Sequence, residues 1–148
     1  MRPLNFKEYS FRLKSSENSI HIFDIVRKKF VVLQPEEWVR QHTVHFLIKE
    51  KKYPKSIINV EKQITVNSLK KRFDVVVFNS DGSIKILVEC KSPDVTITQA
   101  TFDQIARYNI KLNAEYLMVT NGLNHFYCQI DAVEEKYTFL REIPDFSR

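Results

Sequence analysis

The sequence is poor in residues that make a chain flexible or cross-linked. Its 148 residues include only two glycines and two cysteines. So few glycines argue against low complexity and flexible linkers. Cys90 and Cys128 are too few for a disulfide framework and lack the spacing of a metal site. A reducing, cytoplasmic compartment is therefore expected.

Long apolar segments are also absent. No apolar run reaches the roughly 18 residues of a membrane-spanning helix, and the N-terminal MRPLNFKEYSF lacks the apolar core of a signal peptide. No membrane partner is expected. The ordinary composition, with 43% hydrophobic and 28% charged residues, predicts one domain over residues 1–148. The net charge of +5 is compatible with a polyanionic partner but is weak evidence for one.

Hydrophobic periodicity predicts an N-terminal β segment and two helices. Residues 1–33 contain apolar and β-branched runs broken by SSENS, which indicate a β-hairpin and a further extended segment. A helix is predicted from about Pro35 to Lys51, because proline and acidic residues suit its first turn. TITQATFDQIARYNIKLNA predicts a second helix, with Thr98 or Thr101 as its N-cap.

Strands are predicted between and after the helices. SIINVEKQITV alternates as a strand does, and RFDVVVFNSDGSIKILVEC contains two apolar runs joined by NSDGS, the pattern of an antiparallel hairpin. EYLMVTNG, HFYCQID and KYTFLREI indicate further strands, the last two forming a terminal hairpin. This order predicts an α+β sandwich in which helices flank a central mixed sheet.

Three charged residues converge at one end of the predicted central hairpin. Glu89 and Lys91 project to the same side of their strand, and antiparallel pairing places Asp74 opposite residue 89 or 90. Buried carboxylates are costly without a cation, and Mg²⁺ prefers carboxylates together with water and phosphate ligands. The arrangement predicts a site where a metal and Lys91 act on a phosphate and an attacking water. The alternative is a structural ion pair of Lys91 with either acid.

Basic residues precede this site. Lys70, Lys71 and Arg72 lead directly into Asp74 and would line a DNA path, although a solvated charged edge explains them equally well.

Three further residues are predicted to be structural. His42 and His45, three apart on the first helix, are expected to be surface or interface residues rather than metal ligands, since no third ligand accompanies them. Cys90 lies between Glu89 and Lys91, so it should face the opposite side of the strand and pack in the core.

The triplet and its surroundings resemble a known group of nucleases. Asp74, Glu89 and Lys91 match the D…(D/E)xK core of the PD-(D/E)XK superfamily. Gln104 and Tyr108 in QIARY resemble the QxxxY element of several of its branches. The wider pattern is similar to the N-terminal nuclease domain of type I restriction enzyme R subunits. Between about Asp24 and Asp131, the similar segments are PEEWVRQ, YPKSIINVEKQI, KRFDVVVF, LVECKSP, FDQIARYN and VTNG.

The resemblance implies a restriction-endonuclease-like core that cleaves DNA with Mg²⁺, for which Mn²⁺ would substitute. By position, Asp74 and Glu89 would ligate the metal and Lys91 would serve the attacking water. Gln104 would reach toward the metal-bound water or a phosphate. Tyr108 would contact DNA or simply pack.

A glutamate on the first helix would complete the metal ligands implied by the resemblance. The candidates are Glu36 and Glu37. Glu37 is preferred, because helical spacing gives it the same face as Gln41, Val44 and Ile48. Complementing the helix dipole is the alternative role for both.

The resemblance also divides the chain and suggests its partners. A nuclease-like core over 34–131 would lie between an N-terminal β extension, 1–33, and a C-terminal extension, 132–148. Phe73 stands where the superfamily pattern has proline, and the sequence has no GxxxxGK[ST] phosphate loop. DNA is the expected partner, with restriction-system subunits or a motor protein, and cleavage of two strands would suggest a homodimer. The sequence does not choose among a standalone nuclease, a fragment of something longer, a domain whose activity needs a partner, and a catalytically silent DNA-binding or assembly module.

Overall fold

The computed structural model describes residues 1–66 and 68–148, which form two β-sheets and two α-helices. Strands β1 (Leu13–Ser16), β2 (Ser19–Asp24) and β3 (Lys29–Val32) form an antiparallel sheet. The remaining elements, in chain order, are α1 (Pro35–Lys49), β4 (Ile58–Val66), β5 (Leu69–Phe78), β6 (Ile84–Cys90), α2 (Gln99–Ile110), β7 (Tyr116–Thr120), β8 (His125–Asp131) and β9 (Lys136–Leu140). Neither described helix is long and apolar enough to cross a membrane.

The main sheet has six strands in the order of the sequence, β4 to β9. All neighbours are antiparallel except β6 and β7, which are parallel and are connected through α2. Helix α1 packs on one apolar face of the sheet and α2 on the other, and each face has its own buried cluster. The predicted α+β sandwich with a mixed central sheet is confirmed.

Local sequence explains the helix starts. Pro35 occupies the first turn of α1 with Glu36 and Glu37, and the helix ends at Lys49, slightly earlier than predicted. Of the two candidate caps for α2, the structure uses Thr98, whose hydroxyl accepts a hydrogen bond from the Thr101 backbone N–H at 3.1 Å.

The two central hairpins differ in length. Strand β5 pairs with β6 only from Val75, which lies opposite Val88, whereas its earlier residues pair with β4 alone. The hairpin of β4 and β5 therefore continues past the end of β6. We call this continuation, residues 61–66 and 68–73, the β4–β5 arm. It carries several basic residues: Lys62, Lys70, Lys71 and Arg72.

The histidines of α1 were expected to be surface or interface residues, and the surface position is wrong. His42 and His45 are each only 6% exposed, because aromatic side chains of the N-terminal segment cover this face of the helix. Phe11 lies 4.8 Å from the His42 ring and 4.7 Å from the His45 ring, centroid to centroid. Burial lowers the pKa of His45 to about 4.

The buried His45 should make the fold acid-sensitive. Its pKa is lowered from 6.5 to about 4 by folding, so the unfolded chain binds more protons in this window and stability falls as pH falls. We expect His45→Phe to reduce the loss of unfolding free energy between pH 7 and pH 5 by about 1–2 kcal/mol. Urea denaturation at both pH values measures this, and equal losses in both proteins would contradict it.

Candidate active site at one end of the central strands

Three carboxylates lie side by side across neighbouring strands of the main sheet. On β5, Asp74 is the next residue beyond the Val75–Val88 pair, which places it opposite Glu89 on β6. On its other side, Glu61 of β4 falls between two strand pairs that flank Asp74. This carboxylate row, Glu61, Asp74 and Glu89, sits where β6 ends and the β4–β5 arm begins. The pairing agrees with the register that the sequence predicts.

The hydrogen bond and the arginine that contact Asp74 do not fully offset the effect of burial on its pKa. Its Oδ2 accepts a hydrogen bond from the Cys90 backbone N–H at 2.8 Å, and its Oδ1 lies 3.3 Å from Arg40 Nη1. Burial nevertheless raises the pKa of Asp74 to about 6, and the charges of Glu36 and Glu89 act in the same direction. A further cation near Asp74 would therefore be stabilising.

Two arginines connect most of the acids around the row. Arg40 contacts Glu37 with two nitrogens at 3.1 Å each, as well as Glu61 and Asp74. Arg27 contacts Asp24, Glu37 and Glu61. We call this set the arginine–carboxylate network: Asp24, Arg27, Glu37, Arg40, Glu61 and Asp74. It places two guanidinium groups among four carboxylates, so it remains negatively charged.

The two glutamates of the first helical turn occupy different environments. Glu37 is buried and accepts a hydrogen bond from Gln41 Nε2 at 3.0 Å, so the shared helix face is confirmed. Its carboxylate is bound by Arg27 and Arg40. Glu36 is exposed, and its charge helps to raise the pKa of Asp74. Whether Glu36 or Glu37 ligates a metal stays a prediction. In the structure, Glu36 is close enough to Asp74 for its charge to affect the pKa of Asp74.

Glu89 forms a salt bridge with Lys71, one of the residues predicted from the sequence to line a DNA path. Lys71 Nζ lies 2.5 Å from Glu89 Oε1 and 4.5 Å from the centroid of the Tyr108 ring. Lys91 is half-buried and its backbone N–H donates to Thr120 O at 2.8 Å. In the described chain, no carboxylate forms a salt bridge with Lys91. The alternative of an ion pair between Lys91 and either acid is therefore not what the structure shows.

The remaining candidates surround the carboxylate row. Lys70 and Arg72 are exposed on the β4–β5 arm. Gln104 and Tyr108 are exposed one turn apart on α2, and the Tyr108 ring lies 4.5 Å from the ammonium of Lys71. Their roles in catalysis and DNA binding stay predictions.

The thiol of Cys90 is part of the core, as expected. It is 2% exposed, and burial raises its pKa well above the usual range. A protonated, enclosed thiol is neither a nucleophile nor a metal ligand.

Sequence reasoning missed the arginines. Arg40 follows Glu37 by three residues on α1, a spacing that puts both on one helix surface and could have suggested their ion pair. Arg27 and Asp24 lie near the turn after β2, and nothing in their spacing indicates that they meet α1.

The carboxylates fit Mg²⁺ without enclosing it. Within residues 1–66 and 68–148, no three His, Cys, Asp or Glu side chains cluster closely enough to hold a metal by themselves. Mg²⁺ commonly binds one or two carboxylates and retains several waters. Asp74 and Glu89 are hard oxygen donors of that number, and because burial raises the pKa of Asp74, a bound cation would stabilise its charged form.

The network should contribute strongly to stability. We expect Arg40→Met to lower the free energy of unfolding by about 3–5 kcal/mol, because it removes the cation paired with Asp74 and leaves the buried Glu37 with Arg27 alone. Arg40→Lys keeps the charge but loses the two-nitrogen contact with Glu37, so its loss should be smaller. Urea denaturation measures both, with the exposed Arg141→Met as control. Equal losses for Arg40→Met and Arg141→Met would contradict the assignment.

A comparison with protein families gives this geometry its context. The sequence profile described as type I restriction enzyme R protein N terminus matches residues 35–144, which begin with α1 and extend past β9. The match includes Asp74, Glu89 and Lys91. The comparison with curated proteins returns no match. The family indicates a role in a restriction system. The match spans most of the chain, residues 35–144, so the chain belongs to the type I restriction enzyme R protein N terminus family.

Proposed function

We propose that this domain is a Mg²⁺-dependent DNA endonuclease of a restriction system. The observation that carries the proposal is the carboxylate row, which places the like charges of Asp74 and Glu89 opposite each other on β5 and β6. Like charges opposite each other across strands are destabilising. A divalent ion bound by both would remove this repulsion and would be positioned to bind a phosphate.

Each residue of the proposed site has a separate task. Asp74 and Glu89 hold the metal, with Glu36 at the exposed margin of the site. When bound, Mg²⁺ polarises the phosphate and lowers the pKa of the attacking water. The ammonium of Lys91, which has no salt bridge to a described residue, orients that water and stabilises the negative charge that develops on the phosphate.

The β4–β5 arm offers a path for DNA to the site. Lys70 and Arg72 are exposed on it and lie within four residues of Asp74. Exposed lysine and arginine side chains bind backbone phosphates without regard to sequence. Tyr108 and Gln104 lie on the neighbouring face of α2, where they could contact the same strand of DNA. Other subunits of a restriction system, or a motor protein, are the proposed protein partners.

A second function is favoured by a different observation. In this structure, Arg40 and Lys71 already pair with Asp74 and Glu89. Stable internal pairs would suit a catalytically silent module that binds DNA or assembles with other subunits. The two proposals predict different responses to the removal of the acids.

Plasmid cleavage separates these functions. With Mg²⁺ or Mn²⁺, we expect the wild-type protein to nick supercoiled DNA, and Asp74→Asn and Lys91→Met to reduce the rate by at least about 100-fold. Gel analysis of the plasmid forms measures the rate. If wild type cuts no faster than these variants, the nuclease proposal fails. DNA binding that needs no metal and survives Asp74→Asn would then support the silent module.

DNA binding should depend on the arm. We expect Lys70→Ala and Arg72→Ala each to weaken DNA binding and to reduce the slope of log affinity against log salt by about one, as for a lost phosphate contact. Fluorescence anisotropy over a salt series measures this. Lys136→Ala is the matched control, because Lys136 is exposed on β9 at the opposite edge of the sheet. Equal effects at all three positions would exclude the arm as the path.

A further inference from the structure

Lys71 occupies the position of a counter-ion to one of the two proposed metal ligands. Its Nζ lies 2.5 Å from Glu89 Oε1, and the Glu89 side chain is only 11% exposed beneath it. The amine also lies 4.5 Å from the Tyr108 ring and 5.0 Å from the Phe73 ring, measured to the centroids. In this arrangement, Glu89 is neutralised and covered by Lys71.

A metal on Glu89 would weaken its pair with Lys71. A divalent ion there would place two positive charges next to the lysine ammonium, in a partly buried setting where charges are weakly screened. Lys71 and a metal therefore compete for Glu89. Arg40 differs, because Glu37 and Glu61 hold it in place besides Asp74.

DNA bound along the arm would supply an alternative anion for Lys71. It is half-buried, with 31% of its side chain exposed, and it lies between the exposed Lys70 and Arg72. A DNA backbone bound along the arm would bring phosphates close to the ammonium of Lys71. A phosphate can replace Glu89 as the partner of the ammonium, which would uncover the carboxylate.

We infer that Lys71 couples DNA binding to metal binding by exchanging Glu89 for a DNA phosphate. This inference rests on the proposed function and goes beyond it, since it makes Lys71 a positioning residue that keeps the metal site closed until DNA is bound. Thermodynamic linkage requires the effect to be mutual: DNA raises metal affinity, and the metal raises DNA affinity by the same factor. The domain is thereby protected from loading metal in the absence of its substrate.

The test measures Mn²⁺ binding rather than cleavage. All proteins carry Lys91→Met, so that DNA stays intact, and free Mn²⁺ is followed by electron paramagnetic resonance with and without a short DNA duplex. In this background, we expect DNA to raise Mn²⁺ affinity by about tenfold, within the usual range of coupling between sites. Adding Lys71→Met should raise Mn²⁺ affinity without DNA by a similar factor and largely remove the further gain from DNA.

Two controls make the test specific. Lys62→Met removes the same charge from the same arm, but Lys62 has no salt bridge to a described residue, so DNA-free Mn²⁺ affinity should hardly change. Glu89→Gln should abolish both the rise in Mn²⁺ affinity caused by DNA and the rise caused by Lys71→Met. Thermal unfolding of each variant shows whether it is folded.

The outcomes distinguish this inference from the function on which it rests. If Mn²⁺ binding needs Glu89 but Lys71→Met does not raise Mn²⁺ affinity, or raises it no more than Lys62→Met, the coupling role of Lys71 is wrong and the metal site stands. If Mn²⁺ does not bind even with DNA, or binds Glu89→Gln equally well, the metal site and the coupling fall together.

Discussion

The fold around the site depends on one requirement: acidic side chains that are buried together must be neutralised. Asp24, Glu37 and Asp74 come from β2, α1 and β5, and Arg27 and Arg40 are the cations that allow them to approach. Burying a charge is costly unless it is paired and hydrogen-bonded. The ion pairs therefore fix how the small N-terminal sheet and α1 sit against the end of the main sheet.

Apolar packing and the network act at different places in the molecule. Val75, Val77, Ile86 and Val88 bury the middle of β5 and β6 beneath α1, and this part of the sheet needs no charge. Polar residues begin where the apolar pairing stops, at Asp74 and the end of β6. Since apolar burial is non-directional and ion pairs are directional, the core determines that the strands associate, and the network determines the geometry of their ends.

The sequence was sufficient for the parts of the fold that depend on local pattern. The hairpin of β5 and β6 follows from two apolar runs and a turn around Asp81 and Gly82, and its register then places Asp74 opposite Glu89. The resemblance to type I restriction enzyme R subunits, built on short ordered segments, is confirmed by the family match over residues 35–144. The domain limits at residues 33 and 131 stay predictions, and β9, beyond the second limit, pairs with β8 in the main sheet.

Contacts between distant segments could not be predicted from local sequence pattern. Asp24 and Arg27 pair with each other three residues apart, but the contacts of Arg27 and Arg40 with Glu61 join different elements, and spacing along the chain does not indicate them. The sequence did not predict the burial of His42 and His45 for the same reason. The residues that cover them belong to an N-terminal segment without regular structure: Phe6, Tyr9 and Phe11. The pairing of Lys71 with Glu89, and its position against the Tyr108 ring of α2, are again contacts between distant segments.

Glu61 also has a backbone that is unusual for a strand residue. Its φ of 54° lies in the left-handed region, where a residue with a side chain pays roughly 1–2 kcal/mol, while its carboxylate contacts both Arg27 and Arg40. Glycine would relieve the backbone strain but would lose the ion pairs with the two arginines. Any other residue that lacks a carboxylate would lose the ion pairs and keep the strain. Position 61 is therefore doubly constrained, and a redesign of this domain has less freedom there than the exposure of the side chain suggests.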